Sequence, residues 1–166
     1  MSFLNRIINA LEKKVETTPP ADNTFNNPIS NILKQHTPLA KSELEVAAAK
    51  TGFLMHLIYS DGNIDELELK KLKILLKRYF VIPDAFLEEA VKQLIDLDID
   101  KLQLYYLAKV LNQYLDEADR KDFLADLFQM ARADQEYSNL EEKDIRTISQ
   151  YLFLEHTDFI EKKNQN

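Results

Sequence analysis

The sequence predicts an all-α fold: a compact bundle of about seven helices with an internal pseudo-twofold repeat, preceded by one separate amphipathic helix. Apolar residues recur at three- and four-residue spacing through most of the chain, and nothing alternates with period two for the length of a strand. Only two glycines occur in 166 residues, and four of the five prolines lie between Glu16 and Lys41, so helix-breaking signals gather in one stretch. Finally, residues 53–88 align without a gap on residues 126–161, an offset of 73.

In chain order, Phe3, Leu4, Ile7, Ile8, Leu11 and Val15 fill one face of a short helix, with Asn5, Asn9, Glu12 and Lys13 opposite. Docking on its own domain, a partner protein or a peripheral membrane contact through residues 3–15 are its open roles. Membrane contact is the weakest, because Glu12 and Glu16 interrupt the basic face. Residues 16–41, rich in Pro, Asn and Thr, read as a linker with one short turn at Ile29–Lys34. The main domain then spans residues 42–163. Its helices are expected at Ser42–Ser60, Asp65–Phe80, Pro83–Leu94, Asp100–Tyr114, Asp116–Ala133, Ser138–Leu152 and His156–Lys162. Within the first of them, Ala47-Ala48-Ala49 and Gly52 keep one face narrow. An interior glycine costs about 1 kcal/mol, which close approach of a neighbour offsets.

The repeat holds eight identities: Leu54/Leu127, Asp61/Asp134, Leu67/Leu140, Glu68/Glu141, Lys70/Lys143, Phe80/Phe153, Phe86/Phe159 and Glu88/Glu161. Each copy ends a helix in Asp, makes a tight turn, and opens the next helix with a polar residue followed three positions later by Glu. Two such helix pairs pack naturally about a twofold axis, and the intervening helices complete the bundle.

Tyr59-Ser-Asp-Gly-Asn-Ile-Asp-Glu-Leu-Glu68 resembles the first motif of the TerB (tellurite resistance) family. Ala131-Arg-Ala-Asp134, Ser138 to Glu141 and His156-Thr-Asp-Phe-Ile160 resemble its second motif and C-terminal end, and Tyr105 to Asp122 its middle segment. The resemblance covers about residues 42–163. It is nearest to stand-alone bacterial members and more distant from the N-terminal domain of DjlA-type co-chaperones. It implies an all-helical fold, a link to stress or tellurite resistance in some members, and metal binding at the acidic turns.

Two readings of those turns stand side by side. Asp61, Asn63, Asp65 and Glu68, joined by Asp134 and Glu141 if the axis brings the turns together, offer oxygen ligands to Ca²⁺, Mg²⁺ or Mn²⁺. Glu136 and Ser138 hold the matching positions in the second copy. Alternatively, Ser138-x-x-Glu141 and Asp65-x-x-Glu68 are capping boxes, and Gly62 is a left-handed helix end. An EF-hand fails, because Glu66 and Leu72 stand where glycine and a bidentate glutamate are required. The second copy, with Gln135 for Gly and Ser138 for Asp, suits a cap better than a ligand set.

Composition narrows the function. There are no cysteines, so disulfides and thiolate chemistry are excluded. Residues 1–40 carry a net charge of +1 and residues 41–166 one of −8, which disfavours nucleic acid and favours cations or a basic partner surface. His36, His56 and His156 are not spaced as metal ligands, and no nucleophile elbow or phosphate loop occurs. Tyr105, Tyr106, Tyr114, Phe123 and Phe128 read as core. No apolar run is long enough to span a bilayer, and no secretory leader is evident. The expectation is a cytoplasmic, non-catalytic protein-interaction module with an unknown protein partner. The alternative is a divalent-cation sensor built on residues 61–68.

Overall fold

In the computed structural model, which describes residues 27–135 and 137–165 apart from the side chain of Asp61, the helical periodicity becomes eight α-helices with no strand among them. They are α1 (Pro28–Leu33), α2 (Lys41–Ile58), α3 (Glu66–Tyr79), α4 (Asp84–Ile95), α5 (Leu104–Tyr114), α6 (Glu117–Ala131), α7 (Asn139–Tyr151) and α8 (His156–Gln165). Short 3₁₀ turns cover Tyr59–Asp61 and Ile99–Lys101. The amphipathic helix read at residues 3–15 lies outside the described residues.

The stretch read as a linker supplies part of the core. Pro28 sits in the first turn of α1, and the Asn27 side chain caps it by accepting from the Ile29 N–H at 3.0 Å. The i, i+4 pair Ile29 and Leu33 is fully buried, and α1 packs on α2 and α4. One turn of apolar periodicity between prolines is too short to announce a helix on its own.

The axis of the bundle is α2, which touches α1, α3, α5, α6 and α7. Its buried residues run almost continuously from Ala47 to Ile58, as expected of a helix enclosed on most sides. Gly52 has the packing role its sequence suggests: a Cβ there would lie 2.7 Å from Leu107 Cδ1, so α5 approaches α2 as closely as the missing side chain allows. The other central element is α6, with Phe123, Leu124, Leu127, Phe128 and Met130 buried. The C-terminal half of α2 and that of α6 are repeat counterparts and pack together, the Phe53 and Phe123 rings 6.0 Å apart. Cross-contacts are reciprocal, since α3 packs on α6 and α7 on α2. Helix α5 starts later than Asp100, because Leu102 and Gln103 are extended and Leu102 turns into the core.

Burial follows the repeat through most of its length. Leu54/Leu127, Leu72/Ile145 and Leu75/Ile148 are buried in both copies, and Leu67/Leu140 are exposed in both. The copies part at Phe80/Phe153. Phe80 is buried and extended, whereas Phe153 is exposed and left-handed at φ +56°. There α7 ends in a Schellman turn: Phe153 N–H donates to Gln150 O at 3.1 Å and Leu154 N–H to Ser149 O at 3.1 Å. Arg120 donates to Leu152 O at 2.7 Å, and Asn112 donates to Tyr151 O at 2.9 Å, so α5 and α6 hold that turn from outside. Consequently the chain leaves α3 and α7 in different directions. Phe86 ends exposed against His36, while its counterpart Phe159 is buried on Phe128.

Gln135 is the second left-handed non-glycine, at φ +66°, where its counterpart Gly62 has φ +80°. A side chain in this region costs on the order of 1 kcal/mol. We predict that Gln135→Gly, at an exposed left-handed position, raises stability by about 0.5–1 kcal/mol in urea melts. A loss of stability would contradict the strain argument.

Candidate functional site: acidic turns and a charged groove

Around the first turn the chain satisfies its own polar groups. Ser60 Oγ donates to Leu57 O at 2.9 Å, and Gly62 N–H donates to Tyr59 O at 3.1 Å. The Asp65 carboxylate accepts from Leu67 N–H at 2.6 Å, and Asp65 N–H donates to Glu68 Oε2 at 3.0 Å. This is a complete capping box, with Glu68 only 3% exposed. The Tyr59 hydroxyl donates to Ile95 O at 2.6 Å and ties the turn to the end of α4.

The second turn repeats the device. Ser138 N–H and Ser138 Oγ both donate to Glu141 Oε2 at 2.8 Å, and Glu141 N–H donates to Ser138 Oγ at 3.1 Å. Glu141 is 5% exposed. Arg132 lies over the Phe128 and Tyr137 rings and donates to Lys163 O at 2.8 Å, fastening α8 to this turn. Ser138→Ala is expected to cost about 1 kcal/mol of stability, read by thermal melting, as the loss of an N-cap. A variant as stable as the parent would remove the cap argument.

Of the proposed oxygen ligands, Asp65, Glu68 and Glu141 are therefore engaged in capping. Asn63 is exposed and Asp134 half-buried; the Asp61 side chain and Glu136 lie outside the described residues. The 3₁₀ turn Tyr59–Asp61 does pack against α7, which brings the first turn beside the second copy's helix. Among the described residues, no group of three or more His, Asp or Glu side chains is arranged to hold a metal ion.

A different cluster lies between α2, the end of α3 and α6, and it was missed in the sequence. A groove of about 760 Å³ is lined by Glu43, Val46, Lys50, Arg78, Tyr79 and Tyr114, and on α6 by Asp119, Asp122, Phe123 and Asp126. Asp126 is its anchor. Although only 7% exposed, it accepts from the Tyr79 hydroxyl at 2.5 Å through Oδ2 and pairs with Arg78 through Oδ1. Both carboxylate oxygens are thus engaged, which is what a buried charge requires. The signal was legible in part: Asp126 interrupts the apolar run Phe123, Leu124, Leu127, Phe128 on a helix face that must be core. Tyr114, read as core, is instead 44% exposed at the groove. It is the last residue of α5.

Lys50 projects over the Tyr79 and Phe123 rings, 4.9 and 5.9 Å from their centroids. Burial holds its pKa below the usual lysine value, although Asp126 pulls the other way. Burial, and then the Asp126 charge, push the Tyr79 phenol well above its usual range, so it keeps its proton. A protonated phenol and a doubly engaged carboxylate make a fixed polar wall that can orient a ligand.

Among the described residues, fold and site together define a small helical module with two capped acidic turns and an open, charged groove. The model of the tellurite resistance protein TerB family matches residues 44–164, and the chain belongs to that family. No curated protein and no solved structure matches the chain significantly. No helix among the described residues is long and apolar enough to cross a membrane.

Proposed function

We propose that the chain is a non-catalytic, cytoplasmic TerB-family module that engages a protein partner through the groove between α2, α3 and α6. The observation that supports this best is the groove itself. It combines apolar floor residues (Val46, Phe123) with charged groups of both signs around a locked Asp126–Tyr79–Arg78 network. Concave surfaces with an apolar lining and a few fixed polar groups are where ligands are held and oriented. The acidic turns are assigned to architecture, because their glutamates close capping boxes. Membership of the tellurite resistance protein TerB family supports a link to tellurite resistance.

Site-specific photocrosslinking in cells tests the assignment. A photoreactive residue at Val46 should give a discrete adduct with one recurring protein, while the same group at Thr157, exposed on α8, should not. Equal adducts from both positions, or none from Val46, would overturn the groove as the binding surface.

A further inference from the structure

We propose that the groove receives a basic segment of the partner, with a lysine or arginine side chain seated between Asp119 and Asp122 and against the Tyr114 ring; this rests on the groove reading above. The fold leaves two carboxylates of the groove without an ion pair to any described residue. Several surface acids meet bases: Glu88 with Lys73 at 2.7 Å, Asp84 with Lys77 at 2.6 Å, Glu117 with Lys121 at 2.6 Å. Asp119 and Asp122 are both exposed, and neither forms an ion pair with a described residue. Spaced i, i+3 on α6, they lie on one face and both line the groove.

Among the described residues Lys50 feels the charges of both Asp119 and Asp122, yet it forms no ion pair with either. Arg78 is committed to Asp126, and Lys50 stays over the Tyr79 and Phe123 rings. Asp119 and Asp126 are separated by about 10 Å along α6, from the helical rise. The groove is therefore polar along its length. Lys50 and Arg78 repel a second cation near Asp126, while Asp119, Asp122 and the exposed Tyr114 attract one at the other end. Tyr114 adds a π face, which favours a cation over a neutral side chain. Lys50 has no hydrogen-bond acceptor among the described residues, so its ammonium is available to a carbonyl oxygen of the incoming backbone. The chain as a whole is acidic, so a basic partner is also steered toward it at long range.

The test titrates the full, ¹⁵N-labelled chain with a synthetic alanine–lysine peptide, and in parallel with its alanine–glutamate counterpart, at physiological salt. Amide shifts from the lysine peptide should concentrate at residues 42–50, 114–115 and 119–126. Asp119→Lys/Asp122→Lys should weaken binding by about tenfold or more, while Glu89→Lys/Glu161→Lys, with the same change in net charge, should weaken it far less. Both pairs are exposed, and unchanged melting curves confirm folding; Asp119→Asn/Asp122→Asn serves if the reversal unfolds the chain. Shifts spread over the whole acidic surface, or equal losses in both charge-reversed variants, would overturn the proposal. Groove shifts from the glutamate peptide alone would overturn the basic partner and leave the groove standing. No groove shift from either peptide would count against both.

Discussion

Asp126→Ala should destabilise the fold by about 2–3 kcal/mol, measured by urea or thermal melting. The carboxylate is nearly buried, and its removal strips the Tyr79 hydroxyl of its acceptor within the α3–α6 interface. An orphaned buried donor costs its full desolvation penalty. Arg78 is 54% exposed at its side chain and returns to water, so Arg78→Ala should cost only about 1 kcal/mol or less. Asp126→Asn, which retains an acceptor for Tyr79, should fall between. A near-neutral Asp126→Ala would mean that the network does not hold the groove wall. The same geometry fixes a pH dependence. Tyr79 has its pKa raised by burial, so its contribution is complete below the unfolded tyrosine value of about 10 and is lost as pH rises beyond it. Tyr79→Phe should flatten stability above pH of about 10, leaving the part due to Tyr59 and Tyr137, which burial shifts in the same direction.

Ile29→Ala should cost about 2–4 kcal/mol, the loss of a buried aliphatic side chain with partial relaxation of the cavity. Ile29 is fully buried, and its Cδ1 lies 3.6 Å from where a Cβ on Gly52 would be. It thus fills the space beside the closest approach of α2 and α5. A linker residue would change stability by only about 0.5 kcal/mol or less. The measurement therefore separates a docked α1 from a tether, and a small effect would return residues 27–40 to the linker.

Where period and capping carried the information, the fold was readable. The seven helices from Ser42 onward, the close approach at Gly52 and the left-handed Gly62 all rest on local rules, and the structure agrees with them. Helix α1 was legible only as a short turn at Ile29–Lys34, because a single turn between prolines has little period, and its burial is decided by α2 and α4. Phe153 was hidden because identity with Phe80 says nothing about which way the chain leaves a helix. Arg120 and Asn112, distant in sequence, settle that. The groove lay beyond local rules for a similar reason. Lys50, Tyr79 and Asp126 come from three helices, and only Asp126, a charge on an apolar face, announced itself. The acidic turns drew attention because they recur, yet what recurs is two capping boxes and the buried glutamates that close them.

The central claim is that the repeated acidic turns are architecture and that binding belongs to the groove. Titration of the ¹⁵N-labelled chain with Ca²⁺ and Mg²⁺ to millimolar concentration, with Mn²⁺ as a paramagnetic probe, addresses it most directly. Weak, non-saturating shifts with no focus at residues 59–68 or 132–141, and no metal-dependent rise in melting temperature, are the predicted result. A saturable shift confined to those residues, abolished by Asp61→Ala, would contradict it and make the first turn a cation sensor.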